Sequence, residues 1–301
     1  MQLKAAIDEF ILYIQIEKNY STHTVISYEY DLDQFLAFLC DHDCSTGLAD
    51  ITTTQVRRFI QNQLGKQKQK PRSINRKISC LKSFTKYCIR EKFLSNNFMD
   101  SIEKPKFDDN LPVYMTLDDL KQLFRSIEND DSSLSIRNEV MIKLLATTGM
   151  RRSELVALTW EQINLSNQTI RVFGKGKKER LLPLHAALIP LLYEYKETLR
   201  EFQIYPTEPV FLNKNGVSLN PRGLHLIFKK ALEKAGLPPS RFSLHHLRHT
   251  FATLMLQENK ENIELRTLQE LLGHESITAT EVYTHVEFEQ KKKAIDSFNI
   301  F

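Results

Sequence analysis

At 301 residues, with 42% hydrophobic and 26% charged residues, the chain has a globular protein's composition and room for two domains. No stretch approaches the ~18 consecutive apolar residues of a membrane span, and the opening MQLKAAIDEF has acids but no apolar signal-peptide core, so the expected location is cytoplasmic, with no membrane partner. The net charge is only +4, yet the segment from Arg57 to Lys92 holds twelve Lys/Arg against one acid, Glu91, so it carries +11 and the rest of the chain −7. That asymmetry points to a polyanionic partner for the N-terminal part.

The first hundred residues have helical periodicity. Leu3, Ile7, Phe10, Ile11 and Ile14 form one stripe, and Val25, Tyr28, Leu32, Phe35, Leu36 and Leu39 form a second behind a Ser-Thr cap. TTTQVRRFIQNQL reads as a third helix. PRSINRKISCLKSFTKYCIREK reads as a fourth, with Pro71 near its start and Ile74, Ile78, Leu81, Phe84 and Cys88 inward. Four helices make a small bundle. Its basic side, with Arg57, Arg58, Lys68, Arg72, Arg76, Lys77 and Lys82, is the expected DNA-binding face. Cys40, Cys44, Cys80 and Cys88 lack C-x-x-C spacing, so they are expected to be buried reduced thiols and not a zinc site.

Two prolines, charge and no periodicity mark 104–113 as a linker between a helical domain at 1–103 and a second domain at 114–301. The second domain opens on a helix capped at Thr116, followed by an apolar helix ended by Gly149. A short helix, RRSELVALTW, comes next. QTIRVFGKGKKERLLPL alternates as strand, Gly-Lys-Gly turn, strand, a β-hairpin. The remainder reads as helices, the last being FEQKKKAIDSF with Ala294, Ile295, Phe298 and Phe301 on one apolar stripe. The fold class is therefore mostly α with a small β-hairpin or sheet: an N-terminal four-helix bundle and an α+β C-terminal domain.

Several residue types in the second domain suit chemistry at a phosphate. Two arginines are a natural clamp, because a guanidinium offers forked donors and keeps its charge. Arg151 follows a helix end, and His245 and Arg248 lie three apart on one helix face. Lys175 sits at the hairpin tip, His274 follows Gly273, and Tyr283 stands nine residues further on. A positioned phenol is a competent nucleophile in phosphoryl transfer, which depends on alignment and charge stabilisation. Each has a plainer alternative: a surface charge for Arg151, an exposed turn for GKGKKER, a core aromatic for Tyr283. GKGKKER lacks the P-loop order, and no HExxH is present, so no metal and no nucleotide cofactor are expected.

TTGMRRSELVALTW, VFGKGKKERLLPL, SLHHLRHTFAT and LQELLGHESITATEVYTHV, in this order, resemble the tyrosine recombinase (phage integrase) family, and most of all its Xer-type site-specific recombinases. The resemblance implies a SAM-like core-binding domain at 1–103 and a catalytic domain at 114–301 that ends in an exchange helix. It implies that Arg151 and Arg248 clamp the phosphate, with Glu154 supporting. Lys175 would protonate the leaving 5′-oxygen, while His245 and His274 contact the phosphate. Tyr283 would be the nucleophile that forms a 3′-phosphotyrosyl bond, without cofactor or metal. The H-x-x-R register selects His245 over His246, which is expected to pack or meet backbone.

The implied activity is site-specific recombination of duplex DNA through a Holliday junction, resolving chromosome or plasmid dimers. Integration of a small mobile element and type IB topoisomerase activity are the alternatives. The implied partners are duplex DNA bearing a specific site, a tetramer on two such sites (homomeric or shared with a paralogue), and an activating DNA translocase as a further candidate. The last helix either packs on its own domain or docks into a neighbouring subunit.

Overall fold

The computed structural model describes residues 1–65, 67–105, 113–174, 179–199, 208–257, 265–273, 291–293 and 295–296. The chain divides into two compact units, Met1–Asp109 and Asn110–Phe301.

In the first unit four α-helices pack around one core: α1 (Leu3–Ile16), α2 (Thr22–Asp41), α3 (Thr53–Gly65) and α4 (Pro71–Arg90). Ser21 caps α2 by accepting from the Thr24 N–H, and Pro71 stands in the first turn of α4, where its missing donor costs nothing. Leu3, Ile7, Phe10 and Ile14 meet Leu32, Phe35, Ile78, Leu81 and Phe84 in the interior. Phe10 meets Phe84 edge-on at 5.5 Å. Each such side chain contributes about 1.5–3 kcal/mol when fully buried. Ile11, Tyr28 and Leu36, expected inward, lie at the rim and are only partly covered.

Lys77 departs from the sequence expectation. It is 2% exposed, so it is not part of a DNA-facing surface. Its Nζ lies 3.1 Å from Asp31 Oδ1 and also bonds Gln34. Asp31 on α2 is equally buried, and Arg76 closes on its other oxygen at 2.9 Å while donating to the Ser27 carbonyl. Burial pushes the Asp31 carboxyl up, against the opposing pull of Lys77 and Arg76. The cysteines also differ in part. Cys80 and Cys88 are buried, and burial pushes the Cys88 thiol up to about 12, but Cys40 is exposed and Cys44 half-buried. Cys40 follows the buried Leu39 on α2 and is therefore turned toward solvent.

The second unit is built on α6 (Ser135–Thr148), which is buried on every side from Val140 onward. It packs against α5 (Leu117–Glu128), α8 (Leu188–Thr198) and α10 (Leu244–Gln257). It buries two cations: Lys143 bonds Glu128 and Glu139, each at 2.7 Å, and Arg137 donates to the Leu212 carbonyl at 2.6 Å. Thr116 and Asp119 form a reciprocal cap at the start of α5. α6 stops at Gly149, whose φ of 61° is left-handed and whose missing Cβ would lie 2.4 Å from the Phe251 ring of α10. No other residue fits both demands.

After α7 (Arg152–Val156) comes an antiparallel sheet in the order β1 (Ile163–Asn164), β2 (Thr169–Phe173), β3 (Glu179–Pro183). The hairpin is thus the larger part of a three-stranded sheet. β1 has only two residues, too few to show alternation in the sequence. α9 (Pro221–Lys234) is capped by Asn220, and its Lys229 Nζ bonds the carbonyls of Pro239 and Phe242, tying down the approach to α10. α11 (Leu265–Leu272) follows. Residues 291–293 and 295–296 are helical; Ile295 is buried in this unit's own core and Lys291 pairs with Glu270 at 2.6 Å. Ala294, Phe298 and Phe301 lie outside the described residues.

Asp31→Ala leaves Lys77 charged and unpaired in the core, and a broken buried pair costs about 3–5 kcal/mol. Asp31→Leu with Lys77→Met is expected to restore most of that loss. Denaturant unfolding followed by circular dichroism of the helices checks both; Trp160, the one tryptophan, lies in the other unit and does not report on it.

Candidate active site

The charged cluster of the second unit is organised by the end of α11. The last carbonyls of a helix have no partner within it and carry the negative end of its dipole. Here three successive carbonyls each receive a guanidinium. Arg180 Nε donates to Leu271 at 3.1 Å, Arg248 Nη2 to Leu272 at 2.5 Å, and Arg151 Nη2 to Gly273 at 3.4 Å. The three arginines come from β3, from α10 and from the residue that precedes α7. Arg248 also donates through Nη1 to the Gly149 carbonyl at 2.6 Å, which pins the end of α6 to the same point.

Glu154 is the counter-charge. Its side chain is 4% exposed. Oε1 accepts from Arg151 Nη1 and Arg180 Nη1, each at 2.9 Å; Oε2 accepts from Arg180 Nη2 and from the Arg151 backbone N–H, each at 2.7 Å. Arg180 therefore grips the carboxylate with two parallel bonds. Burial pushes the Glu154 carboxyl up, but the bonds from Arg180 and Arg151 outweigh it and hold the group below its ordinary range. Burial, with Arg151 and Arg180 nearby, brings Arg248 down to about 10. It stays protonated at neutral pH. Among the described residues, three guanidiniums against one carboxylate leave a surplus of two positive charges, with Arg151 open to solvent at 43% and Arg248 buried. Such a surplus on fixed donors, one buried and one open to solvent, suits an anion with several acceptor oxygens.

His245 stands exposed in the first turn of α10, one turn before Arg248. His246 turns aside as expected, its Nδ1 2.9 Å from the Arg241 carbonyl. The structure thus gathers Arg151, Glu154 and Arg248, and puts His245 on the same helix as Arg248. Lys175, His274 and Tyr283 lie outside the described residues. Of the basic residues singled out in the first unit, Arg57, Arg58, Lys68, Arg72 and Lys82 are exposed, Arg76 is half-buried and Lys77 is withdrawn from the surface. Arg57 also bonds Ser101.

Arg180 was absent from the sequence candidates, though a signal exists. On β3 it alternates in phase with Leu182 and pairs across the sheet with Val172, both buried. A charge on the inward face of a strand demands a buried partner.

With this geometry, the comparisons are specific. The phage integrase family matches residues 113–290, and its N-terminal SAM-like domain matches residues 7–92. The chain belongs to the phage integrase family. Tyrosine recombinase XerC of Anoxybacillus flavithermus is 39% identical over 92% of this chain and 91% of its own length. Tyrosine recombinase XerD of Staphylococcus aureus is 35% identical over 99% of both. Among solved structures, XerH bound to a palindromic difH substrate after cleavage has a TM-score of 0.72 at 25% identity, covering 92% of this chain and 80% of that one. A lambda integrase dimer bound to a COC′ core site has a TM-score of 0.70 at 20% identity, covering 94% and 100%. This phage integrase family member therefore shares its fold with them: a helical SAM-like domain and a mostly helical catalytic domain with a small sheet.

Glu154→Gln is expected to destabilise the second unit by about 3–5 kcal/mol at neutral pH, because it leaves clustered arginines without their counter-charge. A carboxyl held below its ordinary value contributes stability that is present above about pH 4.5 and lost as the pH falls through its folded value. Wild type should therefore weaken on acidification more steeply than Glu154→Gln. Trp160 fluorescence during urea unfolding at a series of pH values measures the difference.

Proposed function

We propose that this chain is a site-specific DNA recombinase that cuts and rejoins duplex DNA through a 3′-phosphotyrosyl intermediate and a Holliday junction, in the resolution of chromosome or plasmid dimers. The observation that carries this is the set of guanidiniums fixed by the α11 carbonyls and Glu154, in a chain whose full-length relatives are tyrosine recombinases.

In this mechanism Arg151 and Arg248 hold the non-bridging oxygens of the scissile phosphate. They are already positioned by main-chain bonds, so little reorganisation accompanies charge build-up at phosphorus. Glu154 and Arg180 keep Arg151 in place. Tyr283 attacks the phosphorus, a phenolic oxygen–phosphorus bond forms, and the bond to the 5′-oxygen breaks. Lys175 gives that oxygen its proton. His245 and His274 donate to phosphate oxygens or accept the phenolic proton. The phosphodiester energy stays in the phosphotyrosine, so a 5′-hydroxyl of a second strand can reverse the step without ATP.

The unit at 1–103 supplies backbone contacts through Arg57, Arg58, Lys68, Arg72 and Lys82, with Arg76 at their margin, and 104–113 links it to the catalytic unit. The working assembly is a tetramer on two DNA sites, formed by one chain or shared with a paralogue, in which the last helix gives up the packing of Ile295 on its own unit to dock on a neighbour, and a DNA translocase sets the timing. Lambda integrase, which has this fold, is known as a tetramer on a Holliday junction.

Nicked duplexes carrying candidate resolution sites, incubated without metal or ATP and run on a denaturing gel, test the chemistry. Wild type is expected to give a covalent adduct on particular sites and Tyr283→Phe none. Arg248→Lys should lower adduct formation about 10²–10³-fold, the cost of one preorganised donor. Adducts on every duplex would move the assignment to a topoisomerase. Lys82→Ala should weaken binding to all sequences alike and reduce the salt slope by about one.

A further inference from the structure

His245 and His249 stand one turn apart on α10, both exposed. Their Nε2 atoms are 3.1 Å apart while the ring centres are 4.4 Å apart, so the two nitrogens lean toward each other. Two histidines at i and i+4 on one helix face are a recognised chelating pair for a divalent transition metal. At a metal–nitrogen length of about 2.0–2.1 Å, a separation of 3.1 Å gives a nitrogen–metal–nitrogen angle of about 95–102°, between octahedral and tetrahedral values. The rings therefore need little movement to bind.

We propose that His245 and His249 form a two-imidazole site for a divalent transition metal, with zinc or copper as its ligand class, and that occupying it stops strand cleavage. Among the described residues no third imidazole, thiol or carboxylate joins the pair. The Arg248 guanidinium belongs to the residue just before His249 on α10. The same Arg248 charge opposes a dication and keeps the site weak and reversible. Without metal, one ring donates to the other. A bound ion would take the Nε2 lone pair of His245, and that imidazole could then neither accept a proton nor donate to a phosphate at that atom. The inhibitory half rests on the assignment of His245 to the scissile phosphate; the binding half does not.

Zinc chloride titrated calorimetrically into the metal-free full chain, in a non-chelating buffer, is expected to show one equivalent that weakens at least tenfold in His249→Gln. Copper(II) electron paramagnetic resonance should report two nitrogen ligands in wild type and one in that variant. Equal zinc affinity in both proteins would overturn the site. Because Cys40 is exposed, Cys40→Ser with Cys44→Ser is titrated too, and loss of the equivalent there would assign it elsewhere. In the adduct assay, zinc should suppress wild type over the range in which it binds, a chelator should restore it, and His249→Gln should resist. Zinc binding that leaves adduct yield unchanged would overturn the inhibitory half. Absence of any adduct before zinc is added would count against the recombinase mechanism and leave the binding result standing.

Discussion

Everything chemical in the second unit depends on how α11 ends. A helix terminus normally leaves its last carbonyls to solvent. Here Leu271, Leu272 and Gly273 present theirs to Arg180, Arg248 and Arg151 in turn. Three like charges so close would repel each other and move apart in water. The row of carbonyl dipoles and the single carboxylate of Glu154 make their convergence stable. The junction of α6 and α7, β3 and α10, distant from one another in sequence, are thereby held to one point. The fold of this unit and its anion-binding character are consequently one arrangement.

The two units handle interior charge by the same rule with opposite outcomes. In the helical unit Asp31 absorbs Lys77 and part of Arg76, and those charges are lost to the surface. In the second unit Glu154 is outnumbered, and the unneutralised remainder faces outward through Arg151. A buried acid that draws its cation into the core is structural; a buried acid whose surplus cations stay open to solvent prepares a receptor for a further anion.

Much of this was legible beforehand. The helical stripes of the first unit, the Gly149 stop and the hairpin all express local periodicity or turn chemistry, which a sequence records directly. Arg151, Glu154 and Arg248 were legible through family motifs. Lys77 was misplaced and Arg180 missed for a shared reason. Helical position alone made Lys77 seem exposed, but its partner, Asp31, lies on another helix 46 residues away. Arg180 in turn answers to Glu154, 26 residues earlier. Whether a charge is surface or interior depends on a partner that local periodicity does not reveal. The two-residue β1 escaped for a different reason, since its pairing with β2 exists only once the hairpin has formed.

Because the arginines bind main-chain carbonyls, these contacts place no demand on the side chains of the residues that receive them. Leu271 and Leu272 could drift among apolar residues without altering the oxygens they offer. Gly273 is the exception, since its φ of 65° and the Arg180 guanidinium 3.1 Å from where a Cβ would stand leave little room for a side chain. Substitution is thus constrained in two ways: at Leu271 and Leu272 only the apolar core restricts the side chain, while the gathered charges and one glycine are fixed by the contacts themselves.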